Sequence, residues 1–153
     1  MLKRLCVATA SIFICLVYIT SAASDGSVTQ QCLSCICEAI SGCNVTSGCS
    51  GNVCGAFRLS WGYWADAGKP TLEDDDPEKA EAFKNCALDA NCASTAVQGY
   101  VNRFSQDCNG DGKVDCDDFA LLHIVGGYGC VGATLPDAHG KRYKQCKEIL
   151  GKV

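Results

Sequence analysis

The densest run of potential chemistry is DCNGDGKVDCDD, residues 107 to 118. Calcium loops of the EF-hand kind take oxygen side chains at positions 1, 3, 5, 9 and 12. They also want glycine at 6 and a backbone carbonyl at 7. Asp107, Asn109, Asp111, Asp115 and Asp118 fall on the oxygen positions, Gly112 on the sixth and Lys113 on the seventh. The expected cofactor is a structural calcium ion that fixes a turn between two helices. The competing reading is an Asx-rich turn pinned by Cys108 and Cys116. It is favoured by the loop being single and by the short Asp at position twelve. Four carboxylates at the ligand positions of one loop nevertheless repel unless a cation or solvent relieves them.

A second candidate is CICEAISGC, residues 35 to 43, where one carboxylate, Glu38, sits among three cysteines. A carboxyl group on a helix can donate a proton if apolar surroundings keep it protonated. Trp61, Tyr63, Trp64 and Tyr128 offer aromatic faces for stacking on a saccharide, although packing explains each of them equally well. His123 lies in an apolar helical stretch, which suits a hydrogen-bonded core residue better than a lone catalyst. Asn44-Val45-Thr46 fits the acceptor pattern for N-linked glycan.

The cysteines constrain everything that positions these groups. The chain opens with Lys3 and Arg4, an apolar run to about residue 20, and small residues Ser21, Ala22 and Ala23. That order reads as a secretory signal over 1–23, cleaved to leave one domain over 24–153. An uncleaved anchor is the rival reading of the apolar run. Removing the signal takes Cys6 and Cys15 with it. Twelve cysteines remain: Cys32, Cys35, Cys37, Cys43, Cys49, Cys54, Cys86, Cys92, Cys108, Cys116, Cys130 and Cys146. An even, dense set behind a signal predicts six disulfides in an extracellular protein, with pairings that spacing alone leaves open. Zinc is disfavoured, because paired C-x₂-C units are missing and both histidines lie far downstream. Loss of Lys3 and Arg4 takes the formal charge from −4 to −6. An acidic surface excludes nucleic acid as a partner and gives no support for lysis of anionic membranes.

The elements follow from pattern. Residues 32–43 read as a short helix, 44–56 as loop or hairpin, and VCGAFRLSWGYW (53–64) as a short strand pair. Asp76 is placed to cap a helix with Pro77 at its first position and Ala80, Phe83 and Ala87 on one face. Ala93, Ala96, Val97, Tyr100 and Phe104 mark another helix. DDFALLHIV and DAHGKRYKQCKEIL supply two more. The predicted class is mainly α, in the α+β sense, disulfide-rich, with a small β hairpin.

Four cysteine-anchored blocks, CLSCICEAISGC (32–43), CGAF (54–57), CASTAVQGYVNRF (92–104) and HIVGGYGC (123–130), together resemble the invertebrate-type (i-type) lysozyme family, which includes destabilases. The resemblance runs from Cys32 to about Cys146. It implies a lysozyme-like helical fold with a short hairpin and a cleft for bacterial cell-wall glycan. It also implies hydrolysis of the β-1,4 bond between N-acetylmuramic acid and N-acetylglucosamine by two carboxyl groups. In that family the acid is a glutamate in a motif ending Glu-Ser-Gly-Cys, and here Ile40 stands in its place. The second carboxylate has Asn52 as its nearest counterpart, in a shortened segment, or no counterpart at all. Glu38 is about 200° round the helix from Ile40, so the two cannot serve one cleft. The isopeptidase activity credited to some members draws on a serine and a lysine, where this chain has Val53 and Ser60, or on the histidine that aligns with His123.

The resemblance and the residues therefore point to a secreted, monomeric, lysozyme-like protein of cell-wall recognition or defence. Its expected partner is peptidoglycan or a chitin-like saccharide, with muramidase turnover weak or absent. The alternative is an active muramidase that uses a different carboxylate.

Overall fold

A computed structural model of the protein describes residues 28–151; the signal expected over 1–23 lies outside them. Six helices and three two-residue strands make up this region: α1 (Gln30–Ser41), β1 (Cys49–Ser50), β2 (Val53–Cys54), β3 (Leu59–Ser60), α2 (Trp61–Asp66), α3 (Ala80–Leu88), α4 (Ala90–Arg103), α5 (Cys116–Val125) and α6 (Asp137–Leu150). The mainly helical class holds. The β element is a three-stranded antiparallel sheet in the order β1-β2-β3, one strand more than a hairpin.

Helix α1 is the central strut. The Thr29 hydroxyl caps its start by accepting from the Cys32 N–H. Gly42, at φ 67°, ends it in the left-handed conformation, and the Cys43 N–H reaches back to the Cys37 carbonyl. Cys32, Leu33, Cys35, Ile36, Cys37 and Ala39 are buried, while Gln30, Gln31 and Ser34 face solvent. It packs against α5 and α6, and disulfides weld both contacts: Cys32–Cys116 and Cys35–Cys146. These close separations of 84 and 111 residues. In the chain-entropy view, loops of that length each remove on the order of 4–5 kcal/mol of freedom from the unfolded chain.

The other four bridges are local. Cys37–Cys43 ties the end of α1, Cys49–Cys54 joins β1 to β2, Cys86–Cys92 joins α3 to α4, and Cys108–Cys130 holds the loop before α5. All twelve expected cysteines are paired.

Two elements depart from the sequence reading. Asp76 and Pro77 do not start a helix. The Asp76 carboxylate accepts from the Glu78 N–H and its carbonyl from the Lys79 N–H, so the pair makes a free-standing turn. Extended backbone at Lys79 then breaks the chain direction, and α3 begins at Ala80. WGYW, read as strand, is helix α2, capped by the Ser60 hydroxyl on the Tyr63 N–H.

The sheet lies tight on α3 because of Gly55. It sits at φ 72°, and a Cβ there would stand 1.8 Å from the Ala87 carbonyl oxygen. No other residue type fits that approach.

Candidate functional site

Ile40 occupies the last turn of α1, half-buried. Its neighbour Ser41 donates a hydrogen bond to the Ala56 carbonyl, which fastens this end of the helix to the chain between β2 and β3. Beside the sheet, a groove of about 470 Å³ is lined by Gly51, Asn52, Cys54, Ser60, Trp61 and Phe83, among others. Asn52 lies exposed at the tip of the β1–β2 turn and Trp61 is 57% exposed, so both present polar and aromatic surface to that groove. Asn52 and Trp61 are brought together here; Ile40 is not part of this lining.

Glu38 lies elsewhere. It lines a separate cleft of about 310 Å³ between α1 and α6, with Ser34, Arg142, Gln145 and Ile149. A two-residue offset turns a helical side chain by about 200°, and the fold places the carboxylate on the α6 side accordingly. Asp66, at the end of α2, is ion-paired with Arg103 at 3.6 Å, and the same guanidinium donates to the Asp66 carbonyl at 2.9 Å.

The four aromatic residues separate into two kinds. Trp61 and Tyr128 are exposed, Tyr128 at 91%. Trp64 is in the core: it is 1% exposed, donates from Nε1 to the Pro70 carbonyl at 2.7 Å, and packs on Phe83. It offers no face to a saccharide, which corrects its place among the candidate binding residues. Tyr63 is half-buried and stacks on Tyr100 with ring centres 3.8 Å apart. Its ring therefore serves packing, while its hydroxyl serves His123.

His123, in α5, joins three elements. Its Nε2 lies 3.0 Å from the Phe57 carbonyl, and its Nδ1 lies 2.9 Å from the Tyr63 hydroxyl. A carbonyl only accepts, so Nε2 carries the proton and Nδ1 accepts from the phenol. Burial pushes the imidazole pKa down from 6.5 to about 4, against the Phe57 hydrogen bond, which raises it. Burial first, and Tyr100 second, push the Tyr63 phenol well above its ordinary range. Both groups are neutral at physiological pH with their polar atoms engaged. This suits a structural pin and leaves no free base. Val53 and Ser60 face each other across β2 and β3, and the Ser60 oxygen is spent on the α2 cap. The sequence had no signal for the Tyr63–His123–Phe57 link, since His123 lies 60 residues from Tyr63 and 66 from Phe57.

The 107–118 loop is organised by its own hydrogen bonds. Asp107 accepts from the N–H groups of Gly110, Asp111 and Gly112; Asn109 accepts from Asp111; Asp111 accepts from Lys113. Asp115 caps α5 and accepts from Asp117. Asp118 is turned inward. It is fully buried, with Oδ1 accepting from Cys108 and Asn109 and Oδ2 accepting from Asp115. Both oxygens of the twelfth position are thus committed to backbone N–H groups. The donor set does not fit a complete twelve-residue calcium loop. Among the described residues, no group of three or more His, Cys, Asp or Glu side chains is arranged to hold a metal ion.

A central α1 stapled to flanking helices, with a small sheet bordering a groove, is the frame of an i-type lysozyme. Solved structures agree. The inhibitor-bound lysozyme from Meretrix lusoria superposes with a TM-score of 0.57 at 31% identity, covering 81% of this chain and 92% of that one. Tapes japonica lysozyme gives 0.57 at 30% identity, over 80% and 91%. By sequence, "Invertebrate-type lysozyme 3" of Caenorhabditis elegans is 38% identical over 119 residues, 75% of this chain and 83% of that protein. The Destabilase family model matches residues 29–146, and the chain belongs to that family.

Proposed function

We propose that this protein is a secreted, monomeric binder of bacterial cell-wall glycan that has kept the lysozyme frame and lost most or all of its hydrolysis. One observation carries the reading. The last turn of α1 presents a hydrocarbon at position 40, and the only carboxylate on that helix, Glu38, faces α6. An alkyl group cannot give a proton to a leaving oxygen, and Asn52 cannot offset the charge of a sugar cation. Binding needs neither. Exposed Trp61 beside Asn52 supplies an aromatic face and an amide to a saccharide with N-acetyl groups, and Tyr128 supplies a second exposed ring.

Co-sedimentation with insoluble peptidoglycan, and with chitin in parallel, tests the binding. The wild type is expected in the pellet, and Trp61→Ala is expected to weaken retention roughly tenfold, the worth of one good stacking contact. Equal retention of both proteins, or none of either, contradicts the proposal.

Active muramidase is the second reading, favoured by the lysozyme relatives. It requires another acid, and the nearby Asp66 is paired with a guanidinium. A calcium ion on the 107–118 loop is a separate proposal resting on Asp107, Asn109 and Asp111 alone. With Asp118 withdrawn, binding is expected to be weak, and calorimetric titration of a chelator-stripped sample reads it directly.

A further inference from the structure

The turn that follows α1 carries a feature the saccharide groove does not use. Asn44, Val45 and Thr46 are all exposed, Val45 at 68%. The Asn44 side-chain oxygen accepts from the Thr46 N–H at 3.0 Å and from the Thr46 hydroxyl at 2.7 Å. The Ser47 N–H closes the turn on the Asn44 carbonyl at 3.1 Å. With Oδ1 held inward by two donors, the amide nitrogen Nδ2 is left pointing away from the turn. Among the described residues, it has no hydrogen-bond partner to surrender. The pair spanned by this turn is the Asn and the Thr of the acceptor pattern Asn-X-Thr, and the X residue is Val, not Pro.

We infer that Asn44 is a site of N-linked glycosylation. The donor is an oligosaccharide on a lipid diphosphate. Nδ2 attacks the anomeric carbon, the new C–N bond replaces the bond from that carbon to phosphate oxygen, the amide nitrogen loses a proton, and the lipid diphosphate leaves. The turn allows this without cost to the fold, because Asn44 is exposed and the hydroxyl contact is satisfied within three residues. A glycan here stands on the loop between α1 and β1, over the exposed Val45 side chain, and shields apolar surface from water. The two flanking disulfides, Cys37–Cys43 and Cys49–Cys54, close on their own sides of the turn and leave residues 44 to 48 outside both rings.

The inference rests on the secretion reading, since the donor is met only along the secretory route. The full precursor is therefore expressed in a eukaryotic host, and the intact mass of protein from medium and from cells is measured before and after peptide:N-glycosidase. Secreted wild type is expected to be heavier than its polypeptide by one glycan, and the enzyme is expected to remove that mass while deamidating Asn44. Thr46→Ser is expected to keep the modification; Asn44→Gln and Thr46→Ala are expected to lose it while remaining secreted. Secreted protein with bare polypeptide mass overturns the inference and leaves secretion standing. Protein that keeps residues 1–23 and never leaves the cytosol overturns both.

Discussion

At the scale of single residues, the account turns on Ile40 and His123. General acid assistance is worth about 10²–10⁴-fold in rate. Ile40→Glu is therefore expected to raise hydrolysis of peptidoglycan, and adding Asn52→Asp is expected to raise it further. Reducing-end release reads both. His123 makes a prediction about pH. Its folded pKa, about 4, lies below the unfolded value of 6.5, so the folded state resists protonation. The stability it contributes is complete above pH 6.5 and is lost as pH falls from 6.5 towards 4, by up to about 3 kcal/mol. His123→Gln is expected to flatten that slope, measured as urea midpoints at pH 7 and pH 4.5. An unchanged slope removes the pin between Phe57, Tyr63 and α5. The exposed Trp61 and the buried Trp64 were indistinguishable by type alone. Their environments differ because Trp61 opens α2 at the mouth of the groove, while Trp64 reaches inward to Phe83 and the Pro70 carbonyl.

Elements were legible where one rule decided them. The apolar face of α4, at Ala93, Ala96, Val97, Tyr100 and Phe104, was readable because its spacing matches a helix turn and that face is the one buried or half-buried. The start of α3 was misread because Asp-Pro serves a turn as well as a helix, and only the extended Lys79 decides between them. Helix α2 was missed because aromatic alternation resembles a strand, although the Ser60 cap was present in the sequence. The 107–118 loop was legible as a turn before a helix, while the inward rotation of Asp118 was not. That rotation depends on where the Cys108–Cys130 bridge holds the loop's start. Asp118→Ala leaves three N–H groups without partners and is expected to cost roughly 3 kcal/mol or more. The loss is expected to be equal in chelator and in calcium; a larger loss in calcium makes Asp118 a ligand. Gly55→Ala drives a methyl into the Ala87 carbonyl, and denaturant titration is expected to show a loss of roughly 2–4 kcal/mol.

Across the whole molecule, composition showed that disulfides hold the chain, but their partners depend on the fold. Cys35 and Cys146 lie 111 residues apart and meet only because α1 and α6 pack side by side. This framework explains how the site can change without the scaffold failing. The welded α1 tolerates a hydrocarbon in its last turn, since the Cys37–Cys43 bridge and the contact of Ser41 with Ala56 hold that turn. The groove beside Asn52 and Trp61 is walled by the sheet, α2 and α3, and Ile40 takes no part in its lining. The decisive measurement is reducing-end release from purified peptidoglycan by the natural protein, beside the Ile40→Glu, Asn52→Asp double variant. The account predicts release at background for the natural protein and clear release for the double variant; steady turnover by the natural protein contradicts it.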